Sequence, residues 1–171
     1  GLSCPAPRSG VVIDVREAPD TRAWMEGAQA LCREWIPRLH QALAPSTPVP
    51  PVYVELVARV ELGAPAAAAG ATILIQAEEI RKSPENLGMV IHELAHVLQQ
   101  YPQPAPGWLV EGIADYLRYY LFEPGTNQRF DPHQMDYTVG YWPASAFLDW
   151  IQLTYDPQLV PALHRALRSK S

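Results

Sequence analysis

The chain has 171 residues, 48% of them hydrophobic, enough for one buried core and too few for two, so a single domain over residues 1–171 is expected. Thirteen Lys and Arg stand against eighteen Asp and Glu, a formal charge of −5, which excludes a protein that tracks nucleic-acid phosphates. The longest apolar stretch, 64–75, is broken by Pro65 and Gly70 and falls short of the roughly 20 residues a membrane-spanning helix needs.

The chain opens on Gly1-Leu2-Ser3-Cys4 without methionine and reads as a processed form, whose missing signal is silent about compartment. Leu2-Ser3-Cys4 is faintly similar to the end of a bacterial lipoprotein signal, without the apolar segment that should precede it. The two cysteines, Cys4 and Cys32, fit a disulfide pinning the N-terminus to the first helix, with two free buried thiols as the alternative. Val11 to Val15 is short and mostly β-branched, which predicts a strand. Pro19-Asp20-Thr21 marks a helix start, and Trp24, Ala28, Leu31, Trp35, Leu39 and Leu43 recur at spacings of three and four, predicting a helix over 22–43 that Pro37 bends.

After the proline cluster at 45–51, Val52 to Val57 predicts a second strand and Thr72 to Ile75 a third, with the alanine-rich segment between them a mere connection. Ser83-Pro84-Glu85 predicts a cap with proline at the first helical position, ahead of a helix over 87–100. A proline-rich break at 102–106 leads to a helix over 108–121, a loop over 123–137, and helices over 142–155 and 157–167. One strand, one helix, two strands and then helices imply an α+β domain with a helical C-terminal half.

The chemistry is concentrated at Val90-Ile91-His92-Glu93-Leu94-Ala95-His96-Val97-Leu98. Four residues apart on a helix, His92 and His96 lie one turn apart on one face and preset two nitrogen ligands for a metal. Glu93, beside the first ligand, can approach water at the metal without ligating, which is where a general base must sit. Such a pattern arises by chance in a chain of this length well under about one time in a hundred. The alternative is two histidines on an ordinary exposed face. A catalytic zinc takes a third protein ligand and keeps one position open. The extended pattern with a third histidine is excluded, because Gln99 and Pro102 stand where glycine and histidine are required. The remaining solution is a glutamate from a following helix, and Trp108-Leu109-Val110-Glu111-Gly112-Ile113-Ala114-Asp115-Tyr116 offers Glu111. Asp115, one turn on, can accept a hydrogen bond from a ligand histidine's other nitrogen, and Gly112 allows the two helices to approach. A solvated acidic face is the bland alternative for both carboxylates.

Together with Gly140-Tyr141 and Ala146-Phe147-Leu148-Asp149-Trp150, these blocks resemble the plant basic secretory protein family, zinc metallopeptidases of the gluzincin type with bacterial and fungal relatives. The resemblance covers roughly 86–167, and more weakly the strand-helix-strand portion before it. It implies a small zincin-like fold, with a twisted N-terminal sheet of three to four strands and an active-site helix. It implies one catalytic Zn²⁺ held by His92, His96 and Glu111, with Glu93 as base, Asp115 behind the ligands, and Tyr141 supporting the oxyanion, Tyr137 being the alternative phenol. An acidic, Ala- and Pro-rich chain departs from the basic plant members, so no plant-defence role transfers.

The resulting expectation is a secreted or periplasmic monomeric metallopeptidase acting on peptides or proteins, with no nucleic-acid partner and no membrane span. Ile73 to Gln76 would be the edge strand along which an extended substrate lies. The alternatives are a non-catalytic zinc-binding module and a peptidase held inactive by a missing partner or propeptide. His40, His133 and His164 stand apart from the motif: His40 is expected on the carbonyls ending the first helix, and His133 at the surface or on the cleft rim. Trp24, Trp35 and Trp150 read as packing.

Overall fold

The computed structural model describes residues 9–126 and 129–170. β1 (Gly10–Asp14), β2 (Tyr53–Arg59), β3 (Ala66–Ala69) and β4 (Thr72–Gln76) form one sheet in the order β1-β2-β4-β3. β1, β2 and β4 are parallel, while β3 runs antiparallel to β4, from Ala66 opposite Ile75 to Ala69 opposite Thr72. Parallel neighbours need a long crossover, and α1 (Arg22–Leu43) makes the one between β1 and β2. Period-two alternation buries Val54, Leu56, Ala58, Ile73 and Ile75 in the core to which α1 and α3 (Gly88–Gln99) contribute. The expected α+β architecture, with its sheet first and its helices after, is the one observed.

Several local expectations are corrected. Residues 66–69 are the edge strand and not a connection, so β4 lies inside the sheet. Alanine has little strand preference, so nothing in the segment's composition signals this; Gly70, at φ +60°, turns it back into a hairpin with β4. The buried stripe of α1 is Met25, Ala28, Cys32, Ile36, Leu39 and Leu43, with Trp24, Leu31 and Trp35 half-buried at its flanks. The indole explains the shift, since Trp24 donates through Nε1 to the Pro84 carbonyl at 2.8 Å and must keep its polar edge out of the apolar centre. Pro37 sits on the exposed side of α1. Cys32 is wholly buried, which pushes its thiol up to about 12, while Cys4 and the expected disulfide lie outside the described residues.

An unexpected helix, α2 (Ala77–Lys82), follows β4, and Ser83 ends it instead of capping α3. α3 starts at Gly88 without a side-chain cap. Its first turn lies against the Arg118 guanidinium, which bonds Glu123 and Asn86, and a side chain at Gly88 would collide with it. α4 (Gly107–Tyr116) runs on into a π-helical stretch at Leu117–Phe122. α5 (Tyr141–Thr154) and α6 (Leu159–Ser169) complete the helical half. Gly112 serves α4 and α5, since a Cβ there would lie 2.8 Å from that of Ala144; it does not mediate the approach of α3 to α4. No helix among the described residues is long and apolar enough to cross a membrane.

Candidate metal centre

α3 is apolar on nearly every side, with Val90, Ile91, Leu94 and Ala95 fully buried, so its rotation is fixed by packing and His92 and His96 share the one face left for chemistry. α4 brings Glu111 to that face. His92 Nε2 lies 2.9 Å from Glu111 Oε2 and 3.1 Å from His96 Nε2, and His96 Nε2 lies 3.3 Å from Glu111 Oε2. Ligands about 2.0 Å from a tetrahedral ion stand about 3.3 Å apart, and these separations are close to that spacing, so the three residues could hold such an ion. The rings are nearly perpendicular, at 85°, with their Nε2 atoms 3.1 Å apart.

The donor set fits a cation as well as the geometry does. His92 Nδ1 donates to Asp115 Oδ1 at 2.6 Å, and Asp115 is only 4% exposed. A neutral His92 therefore turns the lone pair of Nε2 toward the Glu111 carboxylate and the second imidazole. Burial alone would pull His92 down, but its bonds to Asp115 and Glu111 outweigh that and lift it to about 9. Burial would raise Glu111, yet the two imidazoles hold it at about 2. Both shifts express one preference, for positive charge at the convergence point.

Glu93 is half-buried next to this cluster and makes no hydrogen bond or ion pair to another described residue. Burial raises its carboxyl above the usual carboxylate range, against the opposing pull of His92 and His96. A cleft of about 270 Å³ opens beside His96, with Ala68 and Gly70 among its lining residues, as are Tyr101 and Gln103. A larger cavity of about 1000 Å³ between the end of α1, the proline loop and α6 contains no member of the cluster.

Of the other expected residues, Tyr141 opens α5 at φ +55°, 61% exposed, directly after Gly140, whose backbone lies against Trp108 and Glu111. Tyr137 is stacked on Phe147 with centroids 4.1 Å apart and meets Trp108 edge-on. Among the described residues no hydrogen bond engages either phenol. His133 is exposed. His40 bonds the Thr47 carbonyl, beyond the end of α1, in place of the helix's own. Trp24, Trp35 and Trp150 are half-buried packing residues, as expected.

One residue went unread at the sequence level. Gln99, 2% exposed, accepts from His96 Nδ1 at 2.7 Å and donates to the Val110 carbonyl at 3.0 Å. Its only sequence signal is its place three residues after His96, one turn along the same helix.

No curated protein and no solved structure matches the chain. The sequence model of a family described as peptidase of plants and bacteria does match, over residues 39–171. That span is more than three quarters of the chain and takes in the two histidines, the carboxylates of α3 and α4, and every helix from α2 onward. By that match the chain belongs to the basic secretory protein family of plant and bacterial peptidases.

Proposed function

We propose that this peptidase is zinc-dependent, with His92, His96 and Glu111 holding one catalytic ion and Glu93 acting as general base. The observation that supports it most is the convergence of two imidazole nitrogens and one carboxylate oxygen at tetrahedral spacing, beside a carboxylate with no partner among the described residues. Two histidines and a glutamate with a fourth position open form a donor set suited to hydrolytic zinc. When bound, zinc supplies Lewis acidity, polarising a peptide carbonyl and making water nucleophilic near neutral pH.

The remaining work falls to the chain. Glu93 takes the proton of the attacking water and returns it to the leaving amine nitrogen, a role suited to a carboxylate whose proton affinity burial has raised. Asp115 holds the His92 ring with Nε2 toward the ion. A phenol donates to the oxyanion that develops at the scissile carbonyl. We assign Tyr141, since Gly140 packs against Glu111 and Tyr141 is the next residue, with Tyr137 as the alternative. The substrate is a peptide or protein, met outside the cytoplasm by a monomeric enzyme.

Glu93→Gln tests the reading. The variant should keep one zinc per chain by atomic absorption and lose about 10²- to 10⁴-fold in kcat/KM on a denatured protein substrate. Undiminished hydrolysis by Glu93→Gln would overturn the assignment of the base. A wild type that binds zinc and cleaves nothing across broad peptide libraries would make the domain a zinc-binding module.

A further inference from the structure

A histidine can ligate through Nε2 only if its proton sits on Nδ1, and for His96 that proton is not placed by a carboxylate. Its partner is Gln99, an amide whose two ends differ in what they can do. The Val110 carbonyl can only accept, so the –NH₂ end of Gln99 must face it, and does so at 3.0 Å. The amide oxygen is thereby committed to the other side, 2.7 Å from His96 Nδ1, where it can only accept. Nδ1 must then be the donor, and the lone pair of Nε2 is released toward His92 Nε2 and Glu111. Gln99 is 2% exposed, and its side chain also hydrogen-bonds that of Tyr101, so the amide is held on a further side.

The amide also spans the two helices that carry the ligands. Val110 is bonded to Glu111, so one side chain fixes both the ring of one ligand and the backbone next to another. Gln99 is itself held in place: Arg168 of α6 reaches its carbonyl at 3.5 Å and that of Gln100 at 2.7 Å, tying down the end of α3 where the helix stops. Asp115 does the corresponding work for His92 from α4. The cluster therefore has one ring oriented by a charged acceptor and one by a neutral acceptor.

We infer that Gln99 is a positioning residue of the metal centre, setting the tautomer of His96 through an amide that its bond to Val110 orients; this rests on the zinc reading given above. An unoriented ring spends part of its time with the proton on Nε2 and must be turned on each binding event, so loss of the amide weakens metal binding before it affects the fold.

The test compares Gln99→Met, which keeps the shape and loses the amide's hydrogen bonds, with Gln99→Glu, which still accepts from Nδ1 but no longer donates to Val110. Zinc affinity is read by competition with a chromophoric chelator, and melting of the zinc-free protein is read alongside. Gln99→Met should bind zinc about 10- to 100-fold more weakly than wild type, and Gln99→Glu should recover most of that loss without recovering the zinc-free melting temperature. A purely structural tie between helices would make both variants bind equally weakly, and that result, or wild-type affinity in Gln99→Met, would overturn the inference. Nitrogen NMR of the His96 ring in zinc-free protein at alkaline pH gives a readout independent of the metal. It should show Nδ1–H in wild type and a tautomer mixture in Gln99→Met. If the wild type failed to bind zinc, the zinc reading would fall while this spectrum still decided the role of Gln99.

Discussion

Two buried histidines in this chain, His92 and His164, are driven in opposite directions by their neighbours. Burial lowers both, but His92 has two carboxylates in contact and rises to about 9. His164 has none: burial, then the charges of Arg168 and His40, push it down to about 4, and its Nδ1 takes the hydroxyl of Tyr101 at 3.0 Å. Because the folded value lies below the unfolded one of about 6.5, His164 contributes fully to stability above pH 6.5 and loses that contribution as pH falls toward 4. Urea midpoints at pH 7 and pH 5 should therefore diverge less in His164→Asn than in wild type, by a difference on the order of 1 kcal/mol. An equal pH response in the two proteins would show that His164 is not the acid-sensitive group. At this scale much of the site is readable from spacing alone. His92 and His96, like Glu111 and Asp115, stand four apart, a spacing that a helix turns into a shared face, and the packing of α3 on α4 then brings the two pairs together. Gln99 is not readable that way, because a glutamine's task depends on which carbonyl lies opposite, and Val110 reaches it only after α3 and α4 have packed.

Helix pairs are set by small residues at their crossings. The α4–α5 contact places Gly112 against Ala144 so closely that any Cβ would force one helix to move. Gly112→Val should destabilise the protein by about 1–3 kcal/mol. It should also lower zinc affinity, since Glu111 and Asp115 flank the displaced turn; chemical denaturation and chelator competition read the two effects. The strands and helices with strong periodicity were legible within a few residues at their ends. The edge strand was not, because four alanines carry neither bulk nor β-branching and become a strand only by pairing with β4. The start of α3 falls within one residue of expectation, but the cap expected ahead of it is absent for a related reason. Ser83-Pro84-Glu85 has the composition of a cap, but the end of α2 claims Ser83, and the Arg118–Glu123 pair, remote in sequence, holds the first turn of α3.

Across the whole molecule, the candidate ligands come from two helices joined by a short loop containing Pro102, Pro104 and Pro106. Prolines narrow the unfolded ensemble of that loop and so favour the juxtaposition of α3 and α4 before any ion arrives. An ion bound only by the folded state stabilises it by mass action. Free zinc at about 100 times its dissociation constant should raise the melting temperature by about 5–10 °C over chelator-treated protein. An identical melting temperature with and without chelator would rule out a native-state zinc site of useful affinity.

β3 has no strand partner on its outer side among the described residues, and its side chains are four methyl groups. A polypeptide threaded alongside would find amides and carbonyls to pair with and almost no relief by which to tell one sequence from another. Were substrate to pair there, selection would rest on slackness: frayed termini and unravelled chains could straighten against the edge, and a tightly folded domain could not.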